Sequence, residues 1–302
     1  MLSEAKHPSE AAGARILRSA QDDRAARLTA GRLARSVAFY AALSLGALVM
    51  ALPMIWMVTT SFKLESQVFA VPIRWWPTPF QPDNYVRAWA MANWGLYFFN
   101  SFLVAGATTL LNVFFSSLAG YGFAKYRFPF RQALFVLVLS TLMIPFQVIM
   151  VPLFIITRDL GWLNTYQGLV VPGAVTAFGT FMMRQFMITI PDELISAARI
   201  DGCGELGIFW RIMAPLSRPA AAALAIFTFT GSWDSLLWPL IVTTKTSLRT
   251  LPLGLALFRS EYSTSYTAMM AASVWTTIPI VVLFVVLQRQ FVQGIVISGL
   301  KG

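Results

Sequence analysis

Six stretches of nearly uninterrupted apolar residues alternate with polar, charged connectors along this 302-residue chain, at about 37–60, 99–124, 132–156, 167–186, 220–242 and 268–291. Each is close to the roughly 20 residues that a helix needs to cross the hydrocarbon of a bilayer. The pattern therefore predicts an all-α, polytopic membrane protein of six transmembrane helices. Residues 1–35 form a polar, basic tail without the short apolar core of a secretory signal, expected to be disordered ahead of a single membrane domain at 36–302. Segments three to six carry Pro145, Pro152, Pro172, Pro239 and Pro279, each of which frees a backbone carbonyl and permits a kink. In segment two, Ser116 and Gly120 lie four apart with Gly122 beyond. Small residues at that spacing let helices approach closely, whether the neighbour is in the same subunit or another.

Composition agrees with the pattern. Hydrophobic residues make up 57% and charged residues 12%, the latter about half the soluble norm. A net charge of +10 could point to nucleic acid, but the positions of the cations decide against it. With the N-terminus inside, the seven tail cations fall on the cytoplasmic side with Lys125, Arg127, Arg131, Arg184, Arg199, Arg211, Arg218, Arg289 and Lys301. Outside fall Lys63, Arg74, Arg87, Arg158, Lys245, Arg249 and Arg259. That asymmetry follows the positive-inside rule and puts both termini in the cytoplasm of a cell-membrane protein. The single Cys203 and single His7 exclude an internal disulfide and a Cys/His metal cluster. No Gly-x-x-x-x-Gly-Lys-[Ser/Thr] cradle occurs, so no nucleotide, cofactor or metal is expected on this chain. If ATP is used, another subunit hydrolyses it.

Residues 189–219, TIPDELISAARIDGCGELGIFWRIMAPLSRP, combine charge, helix punctuation and apolar spacing between two apolar segments. Pro191 suits a first helical turn, and Asp192 with Glu193 place negative charge at the positive end of that helix. Leu194, Ala197, Ala198 and Asp201 fall at three-and-four spacing, and Gly202 offers the left-handed residue that ends a helix. A second short helix, about 205–213, shows Ile208, Phe209 and Ile212 on one side, with Pro215 stopping it. The prediction is a helix-Gly-helix elbow on a membrane surface.

The run Ala197-Ala198-Arg199-Ile200-Asp201-Gly202, with Phe209-Trp210-Arg211-Ile212 and Pro215-Leu216, resembles the cytoplasmic coupling loop of the membrane subunits of ABC importers. It looks most like the second permease subunit of carbohydrate importers of the maltose type, with Ser196 where that family usually has Glu. The resemblance implies the type I importer (MetI-like) permease fold and a paired, non-identical permease. It also implies an ATPase dimer holding ATP and Mg, and an external solute-binding protein. It assigns ATPase coupling to Ala197, Ala198, Asp201, Gly202, Glu205, Arg211 and Pro215. The glycine-punctuated C-terminus, with Gly299 and Lys301, resembles the extension that reaches the ATPase interface. AKYRFPFR at 124–131 and Pro79, Asp83, Asn84 and Tyr85 in the outer loop resemble the same family. Trp75, Trp76 and Trp94 suit an interfacial aromatic belt or a contact with the delivery protein.

Segment five carries the polar residues of a solute path. Phe227, Thr230, Gly231, Asp234 and Trp238 share one helical face by spacing, and a carboxylate near the midplane needs water, a partner or a substrate. Aromatic planes beside hydrogen-bonding groups suit a sugar, with apolar ring faces and hydroxyls that need partners. SWDSLLWPL at 232–240 resembles the family pattern, with Asp234 where Asn is usual. The alternative, bonding of Asp234 to a neighbouring helix or to its own Ser and Thr neighbours, stays open. The chain reads as the non-catalytic permease subunit of a sugar importer. The competing readings are an importer of amino acids, peptides or phosphate, and a proton-driven carrier using Asp234. A membrane enzyme would need a cluster of His, Asp or Ser at one depth.

Overall fold

Helix α1, Pro8–Ser61, carries the first apolar segment and extends back from it as one helix. The computed structural model describes residues 8–261 and 265–299, with side chains for 35–258 and 265–285. Two contiguous units make up the chain, Met1–Met57 and Val58–Gly302. The first is the α1 helix up to residue 57; the second holds the bundle described below.

After α1 come two short loop helices, α2 (Glu65–Val68) and α3 (Asp83–Met91). Helix α4, Trp94–Lys125, follows; at 32 residues it is about 48 Å long, enough to cross a bilayer with turns to spare. The next apolar stretch is bent by 104° between α5 (Arg131–Ser140) and α6 (Phe146–Asp159). Then come α7 (Tyr166–Val170), α8 (Ala177–Ile188), and the elbow helices α9 (Asp192–Ile200), α10 (Glu205–Ile208) and α11 (Ala214–Leu216). The chain closes with α12 (Arg218–Trp233), α13 (Leu237–Val242), α14 (Leu251–Glu261) and α15 (Tyr266–Gly299).

Helix α4 is the element around which the bundle packs, with α8 and α12 laid along it. Between its aromatic ends its packed face is largely polar and small: Asn100, Ser101, Thr108, Thr109, Asn112, Ser116, Ser117 and Gly120 are buried alongside Val104 and Ala105. Lipid is as apolar as leucine, so helices in it gain most from close approach and shared hydrogen bonds. The pair Ser116 and Gly120 is explained within the chain. A Cβ on Gly120 would lie 2.7 Å from Met183 Cβ and 2.9 Å from the Arg184 nitrogen, both on α8, whereas Gly122 has nothing within 4 Å.

Among the described residues three helical stretches are long and apolar enough to span, Arg35–Ser61, Trp94–Lys125 and Tyr266–Val285; counting each bent pair as one span makes five. The expected fourth segment, 167–186, is not one helix. Pro172 sits in a 3-10 turn, Val171–Gly173, and Thr176 starts α8 anew by accepting the Gly179 N–H. The expected fifth segment breaks after Trp233, because Asp234 ends α12 and α13 begins only at Leu237.

Several of the connections are closed by side chains from elsewhere in the chain. The Asn100 amide donates to the Ser247 and Arg249 carbonyls at 3.0 and 2.9 Å and accepts from Tyr166 Oη at 2.7 Å. Asn112 donates to the Gly173 carbonyl at 3.1 Å, Asn84 to those of Ser61 and Lys63 at 2.9 and 2.8 Å. Asn164, held at φ 57°, accepts from the Thr244 and Lys245 nitrogens at 2.7 and 2.9 Å. The Glu65 carboxylate accepts the Tyr266 and Thr267 N–H groups at 2.6 and 3.2 Å, satisfying the orphan donors of α15 where its dipole is positive. Trp94 is also structural rather than part of a belt. It is 1% exposed, packs on Phe258 and Trp275 and donates its indole N–H to the Ala88 carbonyl at 2.7 Å. Trp75 and Trp76 remain exposed.

Gly120→Val is expected to destabilise the purified protein by about 1–3 kcal/mol through overpacking. Gly122→Val should be nearly neutral. Thermal unfolding of both in one detergent checks the contrast.

Candidate functional site

The elbow forms as the spacing predicts at its first helix and differs at its second. Pro191, extended at ψ 138°, precedes α9, and Asp192 and Glu193 occupy the first turn. Asp201 caps the C-terminus and Gly202 follows at φ +79°, a left-handed backbone that costs glycine nothing. No side chain would clash there, so the demand on Gly202 is purely one of backbone conformation. Ile195 and Ala198 are the buried face of α9, while Leu194, Ala197, Ile200 and Asp201 face outward. The inferred four-residue face is thus split, with Ala198 alone turned to the core.

Pro215 does not stop the second helix. The backbone widens into a π turn at Phe209–Met213, and α11 continues through Pro215 to Leu216. A proline in a regular helix collides with the carbonyl four residues earlier; a wider turn just ahead of it is where such a strain can be absorbed. The break comes one turn later, at Ser217, with a 77° bend into α12. Ile208, Phe209 and Met213 are buried against Met183, Met187, Ile195 and Leu224, and Ile212 packs at the margin. Arg211 is exposed and Pro215 half-buried.

Two polar contacts lock the elbow to the end of α4. Lys125, its side chain 4% exposed, reaches Asp192 at 2.6 Å and the Ile190 carbonyl at 2.5 Å. The hydrogen bond from Lys125, with its charge, holds the Asp192 carboxyl below its usual range. Glu205 is the second point. It pairs with Arg199 at 2.8 Å across the Gly202 turn and accepts from Tyr126 Oη at 2.5 Å and Tyr121 Oη at 3.3 Å. The bond to Glu205 raises the Arg199 guanidinium above its ordinary value. An exposed ion pair alone contributes little, but here one carboxylate gathers three donors from α9, α4 and the residue after α4. Tyr121 and Tyr126 are functional neighbours that spacing cannot find, because 79 to 84 residues separate them from Glu205.

The outward side of the elbow is apolar where it is not charged. Ile200, Leu206 and Trp210 are 86%, 71% and 57% exposed. They flank Asp201, Gly202 and Arg211.

The residues expected to share one face of segment five are divided by the break after Trp233. Phe227 is exposed, edge-on to Phe178 at 5.9 Å. Thr230, half-buried, donates to the Ile226 carbonyl of its own helix at 2.8 Å, and Asp234 is exposed as the α12 cap. Trp238 turns the other way: 7% exposed, it donates its indole N–H to the Gly168 carbonyl at 2.8 Å and packs with Leu169 and Val242. Ser232, Asp234 and Ser235 compete for local backbone groups and favour caps over helix interiors, so the helical face cannot continue to Trp238. Gly299 is the last described residue of α15, and Lys301 lies outside the described residues.

A helical bundle with three to five candidate spans and an exposed elbow between α8 and α12 defines a multi-pass membrane protein. The chain belongs to the family described as binding-protein-dependent transport system inner membrane component, which matches residues 112–297. It is 38% identical over 261 residues to the arabinooligosaccharides transport system permease protein AraQ of Halalkalibacterium halodurans, covering 85% of this chain and 93% of that protein. It is 37% identical over 264 residues to the sn-glycerol-3-phosphate transport system permease protein UgpE of Yersinia enterocolitica, covering 85% and 94%. In fold it is similar to a chain from the crystal structure of a bacterial ABC transporter involved in import of the acidic polysaccharide alginate. That match has a TM-score of 0.73 at 22% identity and covers 84% of this chain and 95% of that one.

Glu205→Ala should loosen the elbow without unfolding the bundle. Amide exchange at 199–206 is expected to rise about tenfold, with Tyr126→Phe giving a smaller rise, since a charged hydrogen bond contributes roughly 1.5–3 kcal/mol. Exchange mass spectrometry of the purified protein reads this directly.

Proposed function

We propose that this chain is one of two non-identical permease subunits of an ABC importer for a sugar or oligosaccharide. A partner ATPase dimer, holding ATP and Mg, grips the elbow. The observation that carries the proposal is the elbow itself: a turn fixed by Gly202, tied to α4 through Lys125 and Glu205, presenting Ile200, Leu206 and Trp210 uncovered. Apolar side chains exposed beside charges are what a protein partner covers. In this reading Ala197, Asp201, Gly202 and Arg211 meet the ATPase. Ala198 and Pro215 shape the elbow from behind, and Gly299 and Lys301 add a C-terminal contact.

The orientation follows from the same end of the molecule. Lys125, Arg127, Arg131, Arg184, Arg199, Arg211 and Arg218 belong to the elbow end of α4 or to the elbow, and on the positive-inside rule that end is the cytoplasmic one in this reading, with both termini assigned to the same side of the membrane. The opposite end, with the loop from Lys63 to Ala92, then meets the solute-binding protein. Phe227, Thr230 and Asp234 line the solute path on the accessible side of α12. Trp238 acts from behind, by holding the chain after the break.

Sugar as the substrate class rests on relatives named for arabinooligosaccharide transport and on the aromatic and hydroxyl-bearing side of α12. The relative named for sn-glycerol-3-phosphate transport supports a second reading, a phosphorylated polyol. Membership of a binding-protein-dependent family argues against a proton-driven carrier and against a membrane enzyme.

The test uses the assembled transporter in proteoliposomes with its binding protein and a labelled oligosaccharide. Gly202→Val forces a β-branched residue into a left-handed backbone at about 1–3 kcal/mol. It should cut transport about tenfold or more while leaving some ATP hydrolysis. Leu206→Glu should release the ATPase on purification. Accumulation of solute by this chain alone, or failure of a crosslinker at Asp201 to capture a second polypeptide, would overturn the proposal.

A further inference from the structure

At the elbow end of α4 two arginines from different helices converge without a counter-charge. Arg131, at the start of α5, donates to the Tyr126 carbonyl at 3.0 Å. Arg184, on α8, donates to the Phe123 carbonyl at 3.3 Å and lies with its guanidinium carbon 4.0 Å from the centre of the Phe135 ring. Their acceptors are three residues apart on one helix end, so the two like charges are held at the same end of α4. Among the described residues the ion pairs here are Lys125–Asp192 and Arg199–Glu205, and neither includes Arg131 or Arg184. Each guanidinium carries five donors in a planar fork. One carbonyl apiece leaves most of them available.

A second observation limits what the ligand can be. Beside the arginines, Phe130 is 80% and Phe128 38% exposed, and Phe130 is held at φ 58°, a left-handed backbone unfavourable for a bulky residue. The turn thus keeps a large apolar side chain outward next to two forks suited to phosphate. Free phosphate would leave that ring uncovered. A phospholipid has both parts.

We propose that Arg131 and Arg184 form a binding site for the phosphate of an anionic phospholipid, with Phe128 and Phe130 against its acyl chains. Arg184 is positioned for this by the Phe135 ring. That ring stacks with Phe181 and tilts against Phe123, so the half-buried guanidinium is braced on one face. The lipid would neutralise the two like charges and seal α4, α5 and α8 beside the elbow.

Phosphatidylglycerol, phosphatidylcholine and inorganic phosphate are added in turn to the full chain in detergent. Native mass spectrometry reports bound lipid, and thermal unfolding reports stabilisation. Phosphatidylglycerol should be retained in preference to phosphatidylcholine. Arg131→Gln should weaken retention about fivefold and the double variant with Arg184→Gln about thirtyfold, while Arg87→Gln in the outer loop changes nothing. Should the double variant not fold, Phe130→Gly decides. It should relieve the backbone strain and raise stability without lipid, yet weaken phosphatidylglycerol retention. Unchanged retention in the double variant, or in Phe130→Gly, overturns the site. Equal stabilisation by inorganic phosphate makes it a free-anion site and overturns the lipid. Loss of ATPase assembly with lipid retention intact would assign the arginines to a protein partner instead.

Discussion

In a bilayer a backbone carbonyl that loses its helical partner has no water to turn to, and this chain interrupts its helices repeatedly. It does so between α5 and α6, between α7 and α8, after Trp233, and ahead of α14. The rest of the bundle depends on how those interruptions are closed. Ahead of α14 and between α7 and α8 side-chain amides do it, Asn100 for 247–249 and Asn112 for Gly173, and Asn84 and Trp238 serve 61–63 and Gly168 in the same way. A primary amide can donate two hydrogen bonds and accept more, so one Asn replaces several missing backbone bonds. This is why the buried face of α4 is polar while its composition is apolar.

Two of these closures, Asn100 and Asn112, sit on α4, and that helix also joins two distant parts of the bundle. Near its start, Asn100 and Ser101 hold the loop that leads into α14. At its finish, Tyr121, Lys125 and Tyr126 hold the elbow through Asp192 and Glu205. The 32-residue helix between them is braced by α8 at Gly120, with no room for a further carbon atom. A displacement of the elbow therefore carries the end of α4 with it, since the contacts joining them are directional and closely packed. A 77° bend at Ser217 separates the elbow from α12, the helix that bears Phe227 and Thr230.

Sequence alone determined the class of protein. Apolar runs of bilayer length, the absence of a nucleotide cradle, and the elbow from Pro191 to Gly202 are local signals. A left-handed glycine after a capped amphipathic helix is legible because its causes lie within one or two turns of chain. Gly202 takes the left-handed backbone that its place after the helix implies, and Asp201 lies outward beside it.

Only the tertiary structure decided where the helices stop and which side chains face whom. Hydropathy averages over some twenty residues and cannot register that Thr176 caps α8 or that Asp234 ends α12. The shared face from Phe227 to Trp238 failed for that reason, and Trp238 went to the core. Trp94 likewise left the expected aromatic belt for a buried contact with Ala88. Pro215 kept its helix because a π turn, set by packing of Phe209 and Met213, made room for it. The partners of Asn100, Asn112 and the tyrosines that hold Glu205 carried no local signal, since they lie tens of residues away in the chain. Polar pairs brought together from such distances are specified by packing, and packing belongs to the folded bundle rather than to any stretch of it.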